Sequence, residues 1–379
     1  MIDKMEKKVY FRNLNTLRFI AALIVLVGHV DQLKNVFGVT EWFGASFFLV
    51  KAEFGVILFF VLSGFLITYL LLSEIKLTGT VEIKSFYIRR ALRIWPLYFL
   101  TIALAIFVFP FINFLVFKGY DTTAIWSKLS LKLFFYCIFM PNIVMDFLGF
   151  IPYATHSWTI GAEEQFYFIW PVLFKKIKNK LHIFLWVLII YLVVYYLLRY
   201  FPGENKYAKT GFLIWSRYPI SCMAIGGIYA YIVFVKNDIS EKIKSQLFKV
   251  WVQVVVIVVI IFFTSTGFYF PHFNNEIYSI LLGYLVCNFA ANPKPVFNLE
   301  NKLLSYLGKI SYGLYMFHPL AIVCAIKICV ALRLKSNWLL YPLTIITAII
   351  FAAFSYHFYE EYFIKKKIKY SAIVSGDNV

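Results

Sequence analysis

The chain has 379 residues, of which 61% are apolar, 21% aromatic and only 15% charged. A soluble domain carries about 25% charged residues, so this composition, with a mean hydropathy of +0.76, excludes a soluble enzyme, a disordered chain and a disulfide scaffold. An all-α polytopic membrane protein is what remains.

The N-terminus is basic (Lys4, Lys7, Lys8, Arg12), and the apolar run after Arg18 meets no small-residue cleavage site. A retained first helix is therefore expected. A span needs about 20 apolar residues to cross a core of about 30 Å. Spans are predicted on that basis at 14–36, 48–73, 94–117, 158–174, 182–201, 211–235, 248–268, 275–292, 309–332 and 337–359. Ten spans put both termini on one side. With the termini cytoplasmic, segments 1–18, 74–93, 175–180, 236–249, 293–309 and 365–369 hold 25 of the 37 Lys and Arg, the bias of the positive-inside rule.

Residues 127–152 fit less well. Pro141 and Asn142 break the apolar run from Leu133 to Met140, which is too short to span. A re-entrant or interfacial piece on the external side is expected there. No loop is long enough for a soluble domain, so residues 1–379 read as a single transmembrane domain.

The net charge of +18 does not point to nucleic acid, because the basic residues cluster beside spans, as at Lys175, Lys176, Lys178 and Lys180. That placement suits the lipid bilayer or a polyanionic cytosolic ligand. Cys137, Cys222, Cys287, Cys324 and Cys329 are scattered through apolar stretches, with no spacing of a metal or disulfide framework.

Ionisable groups inside apolar spans are costly, so each invites a functional reading. Arg18 and His29 lie eleven residues apart, which on a helix is about 20° past three turns and about 16 Å along the axis. They share one face, the arginine at the cytoplasmic mouth and the histidine well inside, with Gly28 letting another backbone or a ligand approach beside the ring. Topological anchoring and helix packing would explain the pair equally well. Arg90 and Arg93 are three apart, on one face, where they can fork a phosphate, although cytoplasmic anchoring also uses arginines. In His156-Ser157-Trp158-Thr-Ile-Gly161-Ala-Glu163-Glu164-Gln165-Phe-Tyr167 two carboxylates head a helix, where the dipole favours anions. Adjacent residues point about 100° apart, so at most one is expected in a site; Ser157 or Thr159 can instead cap the helix. Ser311, Tyr315 and His318 stack on one face of a late helix, which interhelical hydrogen bonding also explains. His182 reads as a headgroup residue, and His272 and His357 carry no usable signal.

Together these stretches resemble the membrane-bound acyltransferase-3 family. The likeness rests on Arg18 and His29 in the first helix, the Arg90-x-x-Arg93 pair, Ser157 through Tyr167, Ser63-Gly64-Phe65-Leu-Ile-Thr68, and Ser311-Tyr312 through His318-Pro319. It runs over about residues 10–365. The closing Tyr359-Glu360-Glu361-Tyr362-Phe363 departs from it, since Lys-Pro often stands where Glu361-Tyr362 do. The resemblance implies an O-acyltransferase without a fused hydrolase-like domain, moving an acyl group, usually acetyl, from cytoplasmic acyl-CoA to a hydroxyl of a cell-surface glycan, lipid or antibiotic.

On that expectation Arg18, Arg90 and Arg93 hold the phosphates of acetyl-CoA. His29 is the general base, Glu163 or Glu164 orients it or holds the acceptor, and Ser157, Tyr167, Ser311 and His318 contact substrate. No metal is expected. Two other classes fit the same residues. A transporter or lipid flippase would use the Arg, His and Glu as an ion or substrate path and would show flux without coenzyme A. A structural membrane protein would be insensitive to changes at His29 and Glu163.

Overall fold

The computed structural model describes residues 8–43, 51–117, 119–201 and 205–375. Residues 48–50 of the second expected span, and Lys4 and Lys7, lie outside the described residues. The long helices are α1 (Leu14–Val36), α2 (Ala52–Thr78), α3 (Ile83–Phe107), α4 (Trp158–Lys176), α5 (Lys180–Tyr200), α6 (Lys206–Ser216), α7 (Ile220–Phe234), α8 (Val250–Thr266), α9 (Asn274–Ala291), α10 (Ser311–Ala331) and α11 (Asn337–Ser355). Among the described residues the only strands are a two-residue parallel pair, Lys8–Val9 with Val374–Ser375.

Six helical stretches are long and apolar enough to cross a membrane: Leu14–Val36, Ala52–Thr78, Ile83–Phe111, Lys180–Tyr200, Ser311–Ala331 and Asn337–Tyr370. A seventh is reached if Lys206–Phe234 is joined to Asp238–Leu247 across a 112° bend. The molecule is a multi-pass membrane protein. The remaining expected spans are helical too, but α8 has only 17 residues, and α4 carries a carboxylate pair and two lysines. Polar side chains dilute α9 likewise.

Local chemistry explains the boundaries. α2 runs to Thr78 and stops at Gly79, whose φ of 79° suits glycine. α3 starts at Ile83, ahead of the span expected from 94, and Arg89, Arg90 and Arg93 all stand on it. It ends before Pro110, after which the chain continues as 3-10 turns at Phe109–Phe111 and Asn113–Leu115. Residues 127–152 form only short pieces, the longest Leu129–Cys137, because Pro141 starts a new turn. The carboxylate of Asp146 receives Arg217 at 3.1 Å, and Tyr218 donates to the Asn142 side chain. These bonds tie the segment to the junction of α6 and α7.

α2 is the central helix, with 72% of its apolar window buried. It meets α7 backbone to backbone: Gly64 abuts the carbonyl of Met223, and Gly226 that of Val61. Small residues permit such approach where no water drives helices together. α5 and α8 instead turn Trp186, Ile190, Val258 and Ile261 outward, faces suited to hydrocarbon.

Candidate active site

At the end where α1 and α3 begin, a chamber of about 790 Å³ is lined by Arg18, Arg90, Arg93, Lys309 and Lys367. Among the described residues none of these five cations has an ion-pair partner. Arg89, by contrast, is committed to Glu74 at 2.9 Å. The Arg90 guanidinium lies over the rings of Phe86 and Tyr167, at 5.8 and 5.9 Å, and its Nε has no hydrogen-bond partner. Planar, unpaired guanidinium groups in a pocket favour a phosphate-bearing ligand.

Arg18, Arg90 and Arg93 also line a second chamber of about 750 Å³. Here the Glu163 carboxylate accepts from Ser63 Oγ at 2.8 Å and from Tyr167 OH at 3.2 Å. Ser311 and Tyr315 complete its wall. Val56, Phe60, Thr159 and Tyr315 are then shared with a third chamber of about 2160 Å³. The three adjoin in series from the arginines to the far end of α1.

The third chamber holds His29, His156 and His318. The His318 ring centroid is 4.9 Å from those of both His29 and His156. His29 Nδ1 lies 2.8 Å from the Val25 carbonyl, and His318 Nδ1 lies 2.5 Å from that of Tyr315. Pro319 explains the second contact. Proline has no N–H, so the Tyr315 carbonyl four residues back loses its helical donor, and His318 supplies one. Thr159 Oγ1 and the Tyr315 hydroxyl are 2.6 Å apart, and Tyr315 also donates to the His156 carbonyl at 2.9 Å. Among the described residues no group of three or more His, Cys, Asp or Glu is arranged to hold a metal ion.

Residues 11–357 match the family model described as an acyltransferase domain. The chain belongs to the acyltransferase-3 family. Similar relatives are "Putative O-acetyltransferase SACOL0978" of Staphylococcus aureus (strain COL), 27% identical, and "O-acetyltransferase OatA" of Staphylococcus aureus (strain NCTC 8325 / PS 47), 26% identical. Each alignment covers 97% of this chain and 59% of the relative, so the chain spans less than two thirds of the curated relatives' length. No solved structure matches.

Within this acyltransferase-3 domain the candidate residues separate. Arg18, Arg90, Arg93, Glu163, Tyr167 and Ser311 line the first two chambers, and His29 and His318 the third. Two candidates line none of the three. Ser157 is fully buried, gives its hydroxyl to the Ala154 carbonyl at 2.6 Å and makes no side-chain cap bond. Glu164 is buried and accepts from Trp95 Nε1 at 2.8 Å. Neither glutamate bonds to His29; the Val25 carbonyl is its partner. The gap beside Gly28 is filled by backbone, since a Cβ there would sit 2.5 Å from the Ala52 nitrogen.

Sequence reasoning assigned no role to His156, Lys309 or Lys367. His156 stands in the single 3-10 turn Thr155–Ser157 that leads into α4, too short for periodicity to assign it a face. The two lysines look like ordinary cytoplasmic charge until the fold gathers them.

Proposed function

We propose that this chain is an integral membrane O-acyltransferase that moves an acyl group, acetyl first, from acyl-CoA to a hydroxyl of a cell-surface glycan. One observation carries the reading: chambers that share wall residues run from a cluster of five cations, without ion-pair partners among the described residues, to a histidine cluster. The names of the relatives favour an acetyl donor and an oxygen acceptor.

The coenzyme A phosphates lie against Arg90 and Arg93, with Arg18 behind them, each guanidinium giving charge-assisted hydrogen bonds. The pantetheine arm extends through the second chamber past Ser63 and Tyr167. Arg18 and His29 are about 16 Å apart along α1, the order of length that the arm spans. His29 Nε2 takes the proton of the acceptor hydroxyl. The oxygen bonds to the thioester carbonyl carbon, the carbon–sulfur bond breaks, and the imidazolium returns the proton to the departing thiolate. Glu163, fixed by Ser63 and Tyr167, borders the donor path, and His318 and His156 face the acceptor.

The arrangement belongs to a single domain in the bacterial cytoplasmic membrane, with the arginine mouth and both termini inside. The count of ten spans requires α4, α8 and α9 to cross beside the more apolar helices. Residues 127–152 then form an interfacial or re-entrant cover.

Calorimetry with acetyl-CoA, on purified wild type and on the Arg90→Ala/Arg93→Ala double variant, tests the proposal. Binding in the wild type that the variant loses supports it. Absence of binding to either protein refutes an acetyl-CoA donor and brings forward longer acyl donors and a transporter.

A further inference from the structure

A fourth chamber of about 590 Å³ lies beside the histidine chamber, and the two share Glu53, Ser216 and Asn275. The donor path and the histidine cluster do not use it. Part of its lining is aromatic, Tyr191, Tyr195 and Tyr196 at the far end of α5 together with Tyr269. These rings are held in place. Tyr191 stacks on Trp215 at 5.7 Å, and Tyr196 lies within 5° of parallel to Tyr200 at 5.6 Å.

Another part of the lining is polar. Glu276 accepts from Ser221 at 2.7 Å, and Asn274 reaches Glu53 at 3.4 Å. Among the described residues neither carboxylate has an ion-pair partner. Arg199 is held by the Tyr195 hydroxyl at 3.0 Å and lies over the Tyr195 and Tyr200 rings.

This chemistry selects its occupant. Two carboxylates disfavour a polyanion by repulsion, and a lipid tail would offer no hydrogen bond to the carboxylates and amides that line the chamber. A lining that combines fixed tyrosines with carboxylate and amide groups suits a neutral ring with apolar C–H faces and a polar edge. A sugar has that shape. We infer that this chamber is a second acceptor subsite, holding the sugar ring next to the one whose hydroxyl reacts; the inference rests on the glycan reading above. The acceptor is then an oligosaccharide of at least two units, lying across both chambers.

The test uses saccharides released from bacterial cell envelopes, sorted by length from one unit upward, with radiolabelled acetyl-CoA as donor. The wild type should show a gain in kcat/KM of about tenfold or more from one unit to two or three, carried by a lower KM. Tyr196→Ala and Glu276→Gln should lose that gain, and Tyr196→Phe, which keeps the ring, should retain it. Acetyl-CoA binding in the same preparations reports that the variants are folded. Equal use of short and long saccharides, unaltered by the variants, overturns the subsite and leaves the glycan reading standing. Failure of every saccharide, in protein that still binds acetyl-CoA, overturns the glycan reading and the subsite with it.

Discussion

His29 and Val25 are joined one helical turn apart, the imidazole Nδ1 lying 2.8 Å from the carbonyl oxygen. A carbonyl only accepts, so Nδ1 carries the proton, and Nε2 of the neutral ring keeps its lone pair. His318 repeats the arrangement on the Tyr315 carbonyl. Two rings in one tautomer thus share a chamber, and backbone rather than carboxylate sets their orientation.

If His29 is the base, His29→Ala should lower transfer by about 10²- to 10⁴-fold, with the folded yield unchanged by size exclusion. Retention of more than about a tenth of wild-type activity contradicts the assignment.

The three arginines of α3 should divide. Arg90→Ala and Arg93→Ala each remove charge-assisted bonds of about 1.5–3 kcal/mol, so acetyl-CoA should bind about ten- to a hundredfold more weakly, and the gap from wild type should narrow at higher salt. Arg89→Ala leaves the buried Glu74 unpaired and should cost about 3–5 kcal/mol of stability while donor affinity per folded molecule holds. Titrations and thermal melts of the three variants separate the effects.

Adjacent carboxylates should also differ. Glu163→Gln alters the chamber wall and should reduce transfer by about tenfold or more. Glu164→Ala strips Trp95 of its acceptor and should cost about 1–3 kcal/mol in stability, with transfer per folded molecule little changed. Equal losses of activity at both positions would contradict the placement.

Gly64→Leu forces a side chain into the Met223 carbonyl and should abolish folded protein. Gly211→Ala meets nothing closer than 3.7 Å and should raise helix stability by about 0.5–1 kcal/mol. Detergent-extracted yield and melting temperature check both.

Much of this was legible from residue order. The spacing of Arg18 and His29 depends only on helical geometry, and the structure places Arg18 in the first two chambers and His29 in the third, which shares wall residues with the second. The broken 127–152 segment follows from proline chemistry. Hydropathy alone put the start of the third span at 94, because the charged run 84–93 lowers it without weakening the helix that carries Arg90 and Arg93. Nor could adjacency tell Glu163 from Glu164: which carboxylate faces a cavity depends on where Ser63 and Trp95 arrive from other helices. His156, Lys309 and Lys367 join the site only through tertiary packing. The role of Pro319 was readable in principle, since a proline four residues after Tyr315 frees that carbonyl.

Cryo-electron microscopy of the protein with a non-hydrolysable acetyl-CoA analogue tests the central claim most directly. The account predicts phosphates against Arg90 and Arg93, and the acyl carbonyl within about 4 Å of His29 Nε2, the reach needed for attack by an oxygen held there. An analogue bound with its acyl end outside the second and third chambers, or with no phosphate at the arginines, would contradict it.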